Sequence, residues 1–244
     1  MFRLAKQTKK QETYDKETYD NPPETLSETL FYGFHLDEYQ TAFRDAIWNP
    51  EKKIIFVNAK AGSGKSLIAF ATANLLYKYG FYDGIVYVVS PYGEAKQGFL
   101  PGDITEKSEV YFEPLYQAMM KCNVIPYTAI CDESMTAQKT GSGYVKCLTH
   151  TYLRGTNFEN KVVILDEAQN NTFADLKKIL TRVNDNCKVI VIGHNLQKDI
   201  ADQKDSFVAY MNYFESLHDD RVAICKLVKN YRGWISQTAD DFMM

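Results

Sequence analysis

"FVNAKAGSGKS", residues 56–66, packs two glycines, a lysine and a hydroxyl directly behind an apolar run. The run, Lys53-Ile54-Ile55-Phe56-Val57, is short, β-branched and almost uniformly apolar, which predicts a strand buried on both faces. Beyond the glycines, Leu67, Ile68, Phe70, Ala71, Leu75 and Leu76 recur as on a core-facing helix. The glycines therefore fall at a strand-to-helix turn. There the first helical N–H groups have no internal partner, and the helix dipole favours an anion. The pattern is a phosphate cradle, G-x-x-x-x-G-K-[ST], with Ala59 in place of its first glycine. Glycine is needed only where φ is positive or the backbone approaches its ligand closely, and Gly62 and Gly64, nearest the lysine, are kept. Ala59, Lys60, Ala61, Gly62, Ser63 and Gly64 are expected to form the cradle, with the Lys60 side chain in solvent. Lys65 is expected to bind phosphates and Ser66 to lie beside a magnesium ion.

Working outward, "LDEYQTAFRDAIW" (36–48) spaces Leu36, Tyr39, Phe43, Ile47 and Trp48 as one helix face. "GIVYVVSP" (84–91) reads as a second buried strand, "FLPGD" (99–103) as a turn, and "EKSEVYFEPLYQAMMK" (106–121) as a helix despite Pro114. Residues 128–143 read as an exposed polar loop or hairpin, and "YVKCLTH" (144–150) as a third strand. "KVVILDEAQN" (161–170), "CKVIVIG" (187–193) and "RVAICKLV" (221–228) follow as strands, the last at an edge. "NTFADLKKILTRV" (171–183) is an amphipathic helix opened by a Thr172–Asp175 capping box. Strands alternating with helices predict a parallel sheet covered on both faces. Residues 1–26 are polar, repeat "ETYD" at 12–15 and 17–20, and read as a mobile arm ahead of one domain, 27–244.

"VVILDEAQ" ends an apolar strand with two carboxylates. In an open parallel sheet, ligand sites collect at the strand carboxyl ends, so Asp166 and Glu167 are expected on the rim that carries the cradle. Phosphoryl transfer needs a metal ion on the β and γ oxygens and a group to orient or deprotonate water. Asp166 suits the metal, through Ser66 and water, and Glu167 suits the water. "GHNLQKD" (193–199) reaches the same rim, where Gln197 is placed to sense a γ-phosphate. A guanine site would want N-K-x-D; Asn195, Lys198 and Asp199 do not fit that spacing, which favours ATP.

Bulk properties narrow the classes further. The 45% hydrophobic content is enough for a packed core, yet no apolar run approaches a membrane span and "MFRLAKQTKK" lacks a secretory signal's apolar stretch. Five scattered cysteines without a C-x-x-C pair argue against zinc and against a disulfide framework, and point to reduced thiols in the cytoplasm. A net charge of −3 supplies no global basic field, so any nucleic acid must meet a local patch.

"AGSGKS" (61–66), "GFLPGDITEKSEVYFEPLYQAM" (98–119), "YLRGTNFENKVVILDEAQNNTFADLKKILTRV" (152–183) and "VIGHNLQKDI" (191–200) together resemble the PhoH family. The likeness runs from about Leu36 to Ile200 and extends towards Gln237. "FLPGD" and "DEAQN…LTR" are far more specific than the phosphate loop. The resemblance implies a RecA-like, three-layer P-loop NTPase fold akin to half of a superfamily 1 helicase. It further implies ATP hydrolysis, RNA or single-stranded DNA as partner, and assembly into a homo-oligomeric ring. By the same likeness, Gln40 falls where the family reads adenine, and Arg232, in "NYRGWIS", where a late arginine acts on a neighbour's ATP. Arg154 and Arg182 also match family positions. His194 departs from the family's acidic residue after Gly193. The expected activity is that of a magnesium-dependent ATPase; an ATP-gated binding module with little turnover and a small-molecule kinase are the rivals. "LDEAQ" argues against the kinase, which needs an acceptor pocket rather than a water-activating glutamate.

Overall fold

The computed structural model describes residues 19–90, 110–131, 143–150, 156–194 and 206–240. Helix α1 (Glu38–Trp48) leads into strand β1 (Ile54–Ala59), helix α2 (Lys65–Lys78) and strand β2 (Ile85–Val89). A 3-10 turn (Val110–Phe112) opens α3 (Glu113–Lys121), and the short α4 (Pro126–Ala129) precedes β3 (Val145–Thr149) and β4 (Val162–Asp166). Then come α5 (Phe173–Leu180), β5 (Lys188–Gly193), α6 (Ser206–Ser216), β6 (Val222–Leu227) and α7 (Trp234–Asp240).

The six strands pair in the order β3-β2-β4-β5-β1-β6, every pair parallel. Strand β5 lies between β1 and β4, so the strand feeding the phosphate loop and the strand ending in carboxylates are separated by one strand. Register aligns Asn58 with Gly193 and Val89 with Asp166, which brings the carboxyl ends to one rim.

Alternation along each strand divides the interior into two cores. Ile55, Val57 and Ala59, with Ile164, Ile190 and Ile192, pack under α1, α2 and α3. Ile54 and Phe56, with Val163, Leu165, Val189 and Val191, pack under α5 and α6. The result is the three-layer α/β P-loop NTPase fold, with a parallel sheet covered on both faces. Helix α2 is buried from Ile68 to Leu76 without a break, because α1 and α3 flank it above the sheet.

Local chemistry explains most boundaries. Asp37 and Gln40 close a capping box at the start of α1, and Thr172 and Asp175 do the same for α5. Pro114 does not interrupt a longer helix. It lies in the first turn of α3, where a missing N–H removes no bond. Residues 19–26, expected as the end of a mobile arm, lie against the domain. Leu26 is buried in the first core, Trp48 Nε1 donates to the Pro23 carbonyl at 3.1 Å, and the Tyr19 ring meets Tyr79 edge-on. The polar composition concealed these contacts because Leu26 and Tyr19 anchor the segment singly, without periodicity.

Among the described residues no helix is long and apolar enough to cross a membrane. The five cysteines are thiols; burial pushes Cys122 and Cys147 up to about 12 and Cys225 up to about 11.

Candidate nucleotide site

The phosphate loop spans the gap between the end of β1 and the start of α2. Gly62 and Gly64 both take positive φ, +69° and +83°, and Gly64 is the N-cap of α2. The first turn of α2 thus begins with its N–H groups at the rim, as an anion site requires. The loop is tied down on two sides: Lys60 N–H donates to the Leu227 carbonyl and Tyr231 N–H to the Gly62 carbonyl, both at 2.9 Å.

The four expected chemical groups converge. Lys65 Nζ meets Glu167 Oε1 at 2.8 Å, and Ser66 Oγ donates to Asp166 Oδ2 at 2.6 Å. Burial works to lower the Lys65 ammonium, yet the carboxylates of Asp166 and Glu167 more than offset it and hold its pKa above the usual lysine value. Glu167 follows the end of β4 in a left-handed conformation, φ +54°, uncommon for a residue with a Cβ. Its second oxygen accepts from Gln169 Nε2 at 2.6 Å, and Gln169 Oε1 in turn accepts from the His194 N–H at 3.2 Å. A polar chain therefore runs from the lysine through Glu167 and Gln169 to the end of β5. His194, which stands where the family has an acidic residue, is buried there at 4% exposure.

Tyr87 completes the acidic corner. Its hydroxyl donates to Asp166 Oδ2 at 2.6 Å. Burial, with the Asp166 charge beside it, pushes the phenol well above its usual value, so it stays protonated and donates.

On the far side of the loop, Gln40 Nε2 donates to the Ser63 carbonyl at 2.9 Å, while Gln40 Oε1 accepts from the Asp37 N–H at 3.1 Å. Gln40 thus fastens α1 to the cradle. Asp37 also accepts from the Tyr231 hydroxyl at 2.5 Å, and that bond pushes Tyr231 up to about 12. The segment after β6 crosses the loop itself. A Cβ on Gly62 would strike Asn230 Oδ1 and lie 2.8 Å from Arg232 Cγ. The likeness to the family suggested that Arg232 serves a neighbouring subunit. Here its methylenes lie against the phosphate loop of its own chain, because Asn230, 5% exposed, accepts from the Arg232 N–H at 2.9 Å and holds the turn there.

Gln197, Asn195, Lys198, Asp199, Arg154 and the "FLPGD" turn lie outside the described residues. Arg182 is half-buried and donates to the Thr156 carbonyl at 3.2 Å, away from the rim in sequence and in bonding. Sequence reasoning missed Tyr87, Gln169, Asp37 and Tyr231. Tyr87 left one signal: a phenol within the buried run "IVYVV" must find an acceptor, though nothing in the run says which.

The sequence resembles known proteins over most of its length. Residues 35–238 match the family described as PhoH-like protein. Protein PhoH of Escherichia coli (strain K12) is 39% identical over 151 residues, 61% of this chain and 41% of that protein. A PhoH-like protein of Bacillus subtilis (strain 168) is 34% identical over 149 residues, 60% of this chain and 44% of that one. Protein PhoH2 of the same organism is 28% identical over 210 residues, covering 84% and 46%. The chain therefore spans less than half the length of these curated relatives. Among solved structures, the HK97 bacteriophage large terminase aligns with 84% of this chain and 42% of its own, at 15% identity and a TM-score of 0.48.

Proposed function

We propose that this chain, which belongs to the PhoH-like protein family, binds ATP with magnesium and hydrolyses it to ADP and phosphate. One observation carries the reading: Lys65, Ser66, Asp166 and Glu167, drawn from positions about a hundred residues apart, meet in direct contacts of 2.6 to 2.8 Å at one rim. The loop N–H groups and Lys65 hold the phosphates. Ser63 Oγ, buried in the loop and without a hydrogen-bond partner among the described residues, is a further group that a phosphate oxygen would satisfy.

A hydroxyl and a carboxylate, Ser66 and Asp166, fit magnesium, which takes one or two carboxylates and completes its shell with water and substrate phosphate. When bound, a magnesium ion would neutralise charge on the nucleotide phosphates. Nucleotide phosphates compete with Glu167 for Lys65. The released Glu167 carboxylate then takes a proton from water as the water oxygen bonds to the γ-phosphorus, and the bond to the β–γ bridging oxygen breaks. Arg232 acts in cis on the charge that builds on the γ-phosphoryl oxygens, Gln197 senses the γ-phosphate, and Gln40 with Tyr231 lines the base pocket.

Glu167→Gln keeps the side chain's shape and loses the base. Turnover should fall at least ~100-fold, the reach of general-base catalysis, while ATP affinity holds or tightens because the lysine loses its anionic competitor. Near wild-type turnover would overturn the assignment.

The partner that fits this ATPase is an RNA or single-stranded DNA that raises turnover. A single RecA-like domain cannot step along a strand alone, so translocation would require a homo-oligomer. The rival, an ATP-gated module with little turnover, draws on the resting state of Glu167, whose two oxygens are held by Lys65 and Gln169. Turnover measured with and without single-stranded RNA or DNA separates the two.

A further inference from the structure

Asp166 is held by three donors. Ser66 Oγ and the Tyr87 hydroxyl both reach Oδ2 at 2.6 Å, and the Glu167 N–H reaches Oδ1 at 2.9 Å. Two of these belong to the phosphate site itself. Tyr87 does not. It rises from β2, the strand beside β4, in register with Ile164, and its hydroxyl reaches along the neighbouring strand to the carboxylate two residues on. The residue is 1% exposed, and its ring is held edge-on by Phe112 at 6.3 Å.

A phenol in an otherwise apolar strand is unfavourable to bury unless its hydroxyl is bonded, and a leucine would fill the same layer without that need. What the hydroxyl adds is orientation. A carboxylate on one χ1 and one χ2 torsion, 2% exposed, keeps a single pose only while its oxygens are bonded. A serine hydroxyl that gave a lone pair to a metal ion could keep its proton on Oδ2, but its direction would then be set by the ion, whereas the Tyr87 donor is fixed by the sheet alone.

We infer that Tyr87 is a positioning residue for the metal site: its hydroxyl fixes the Asp166 carboxylate in the pose that receives magnesium. The inference rests on the assignment of Asp166 to the metal. Groups behind a metal's ligands set its affinity, and their loss typically weakens binding about 10- to 100-fold. Tyr87 acts on the metal through Asp166 and is itself no ligand, so the effect should appear in metal affinity before it appears in nucleotide affinity.

The test is calorimetric titration of ADP into the full chain, in chelator and in saturating magnesium. Wild type should bind ADP more tightly with magnesium, and Asp166→Asn should lose that gain. Tyr87→Phe, which keeps the ring against Phe112, should bind metal-free ADP as wild type does and lose about 10-fold of the magnesium-dependent gain. In steady-state hydrolysis it should raise the magnesium requirement and recover most of kcat at high magnesium. Tyr87→Met, a second side chain without a donor, is measured alongside so that the answer does not depend on one variant folding. A full magnesium gain in either folded Tyr87 variant, with Asp166→Asn losing it, overturns the role of Tyr87 alone. A gain that survives Asp166→Asn overturns the metal assignment, and the inference with it.

Discussion

Gly62 combines two things that a residue with a Cβ could not combine at that position. It holds φ at +69°, and it lets Asn230 and Arg232 cross the phosphate loop at a distance that leaves no room for a methyl group. An L-residue in the left-handed region loses about 1–2 kcal/mol. Gly33, at φ +72° with nothing within 4 Å of its Cβ position, isolates that backbone effect. Gly62→Ala should therefore lower the melting temperature by more than Gly33→Ala does. It should also reduce ATP turnover, because the turn carrying Arg232 must move, while Gly33→Ala leaves turnover intact. Equal effects from the two substitutions in melting and turnover assays would mean that the close approach has no consequence.

Lys188 shows how one element is pinned by another. The first residue of β5, it is fully buried, and its Nζ donates to the carbonyls of Ile47 and Asn49 at 2.7 and 2.6 Å. Both lie at the end of α1, where carbonyls lose their helical partners, and the Asn49 carbonyl also accepts from the Lys52 N–H at 3.2 Å. The lysine thus closes the helix whose other end carries Asp37 and Gln40 against the cradle. Burial, aided by the nearby charge of Lys53, pushes its pKa down to about 7 from the usual 10.5. In the window between those values the unfolded chain binds more protons than the folded one, so this residue makes stability rise with pH, at up to ~1.4 kcal/mol per unit. Lys188→Met removes the titrating group and both of its hydrogen bonds to the end of α1. Denaturant midpoints taken at pH 7 and pH 9 should show the gap between wild type and Lys188→Met widening at the higher pH. A constant gap would show that the lysine does not titrate in that window.

At the scale of the whole molecule, the position of Arg232 decides whether one chain can hold a complete hydrolytic site. The structure brings the lysine, hydroxyl, two carboxylates and the arginine's stem to one loop of one chain. Turnover per chain is therefore expected to stay constant across a wide dilution series. Arg232→Ala should lower it about 10³-fold, the lower end of what an arginine at the γ-phosphoryl group supplies. Mixing Arg232→Ala with Glu167→Gln should restore nothing. Turnover that climbs with protein concentration, or activity recovered on mixing, would return the arginine to a neighbouring subunit.

Much of this was legible in one dimension. A buried apolar strand, two glycines, a lysine and a serine fix a phosphate loop because the strand, turn and helix lie within one short span and need no distant contact. The same holds for the Thr172–Asp175 cap, for Asp166 and Glu167 at a strand end, and for the alternation that yields a parallel sheet. What the tertiary structure decided is every contact between segments distant in sequence. Strand order placed β2 beside β4 and so gave Asp166 a tyrosine donor. The return of β6 beside β1 laid Asn230 and Arg232 over Gly62, where the family likeness alone pointed outward to a neighbour. The polar chain from Lys65 to His194 and the lysine that closes α1 are of the same kind. A hydrogen bond is set by a few tenths of an ångström and a direction. Local pattern fixes those within a turn of helix or a run of strand, but between strands only the packed sheet does.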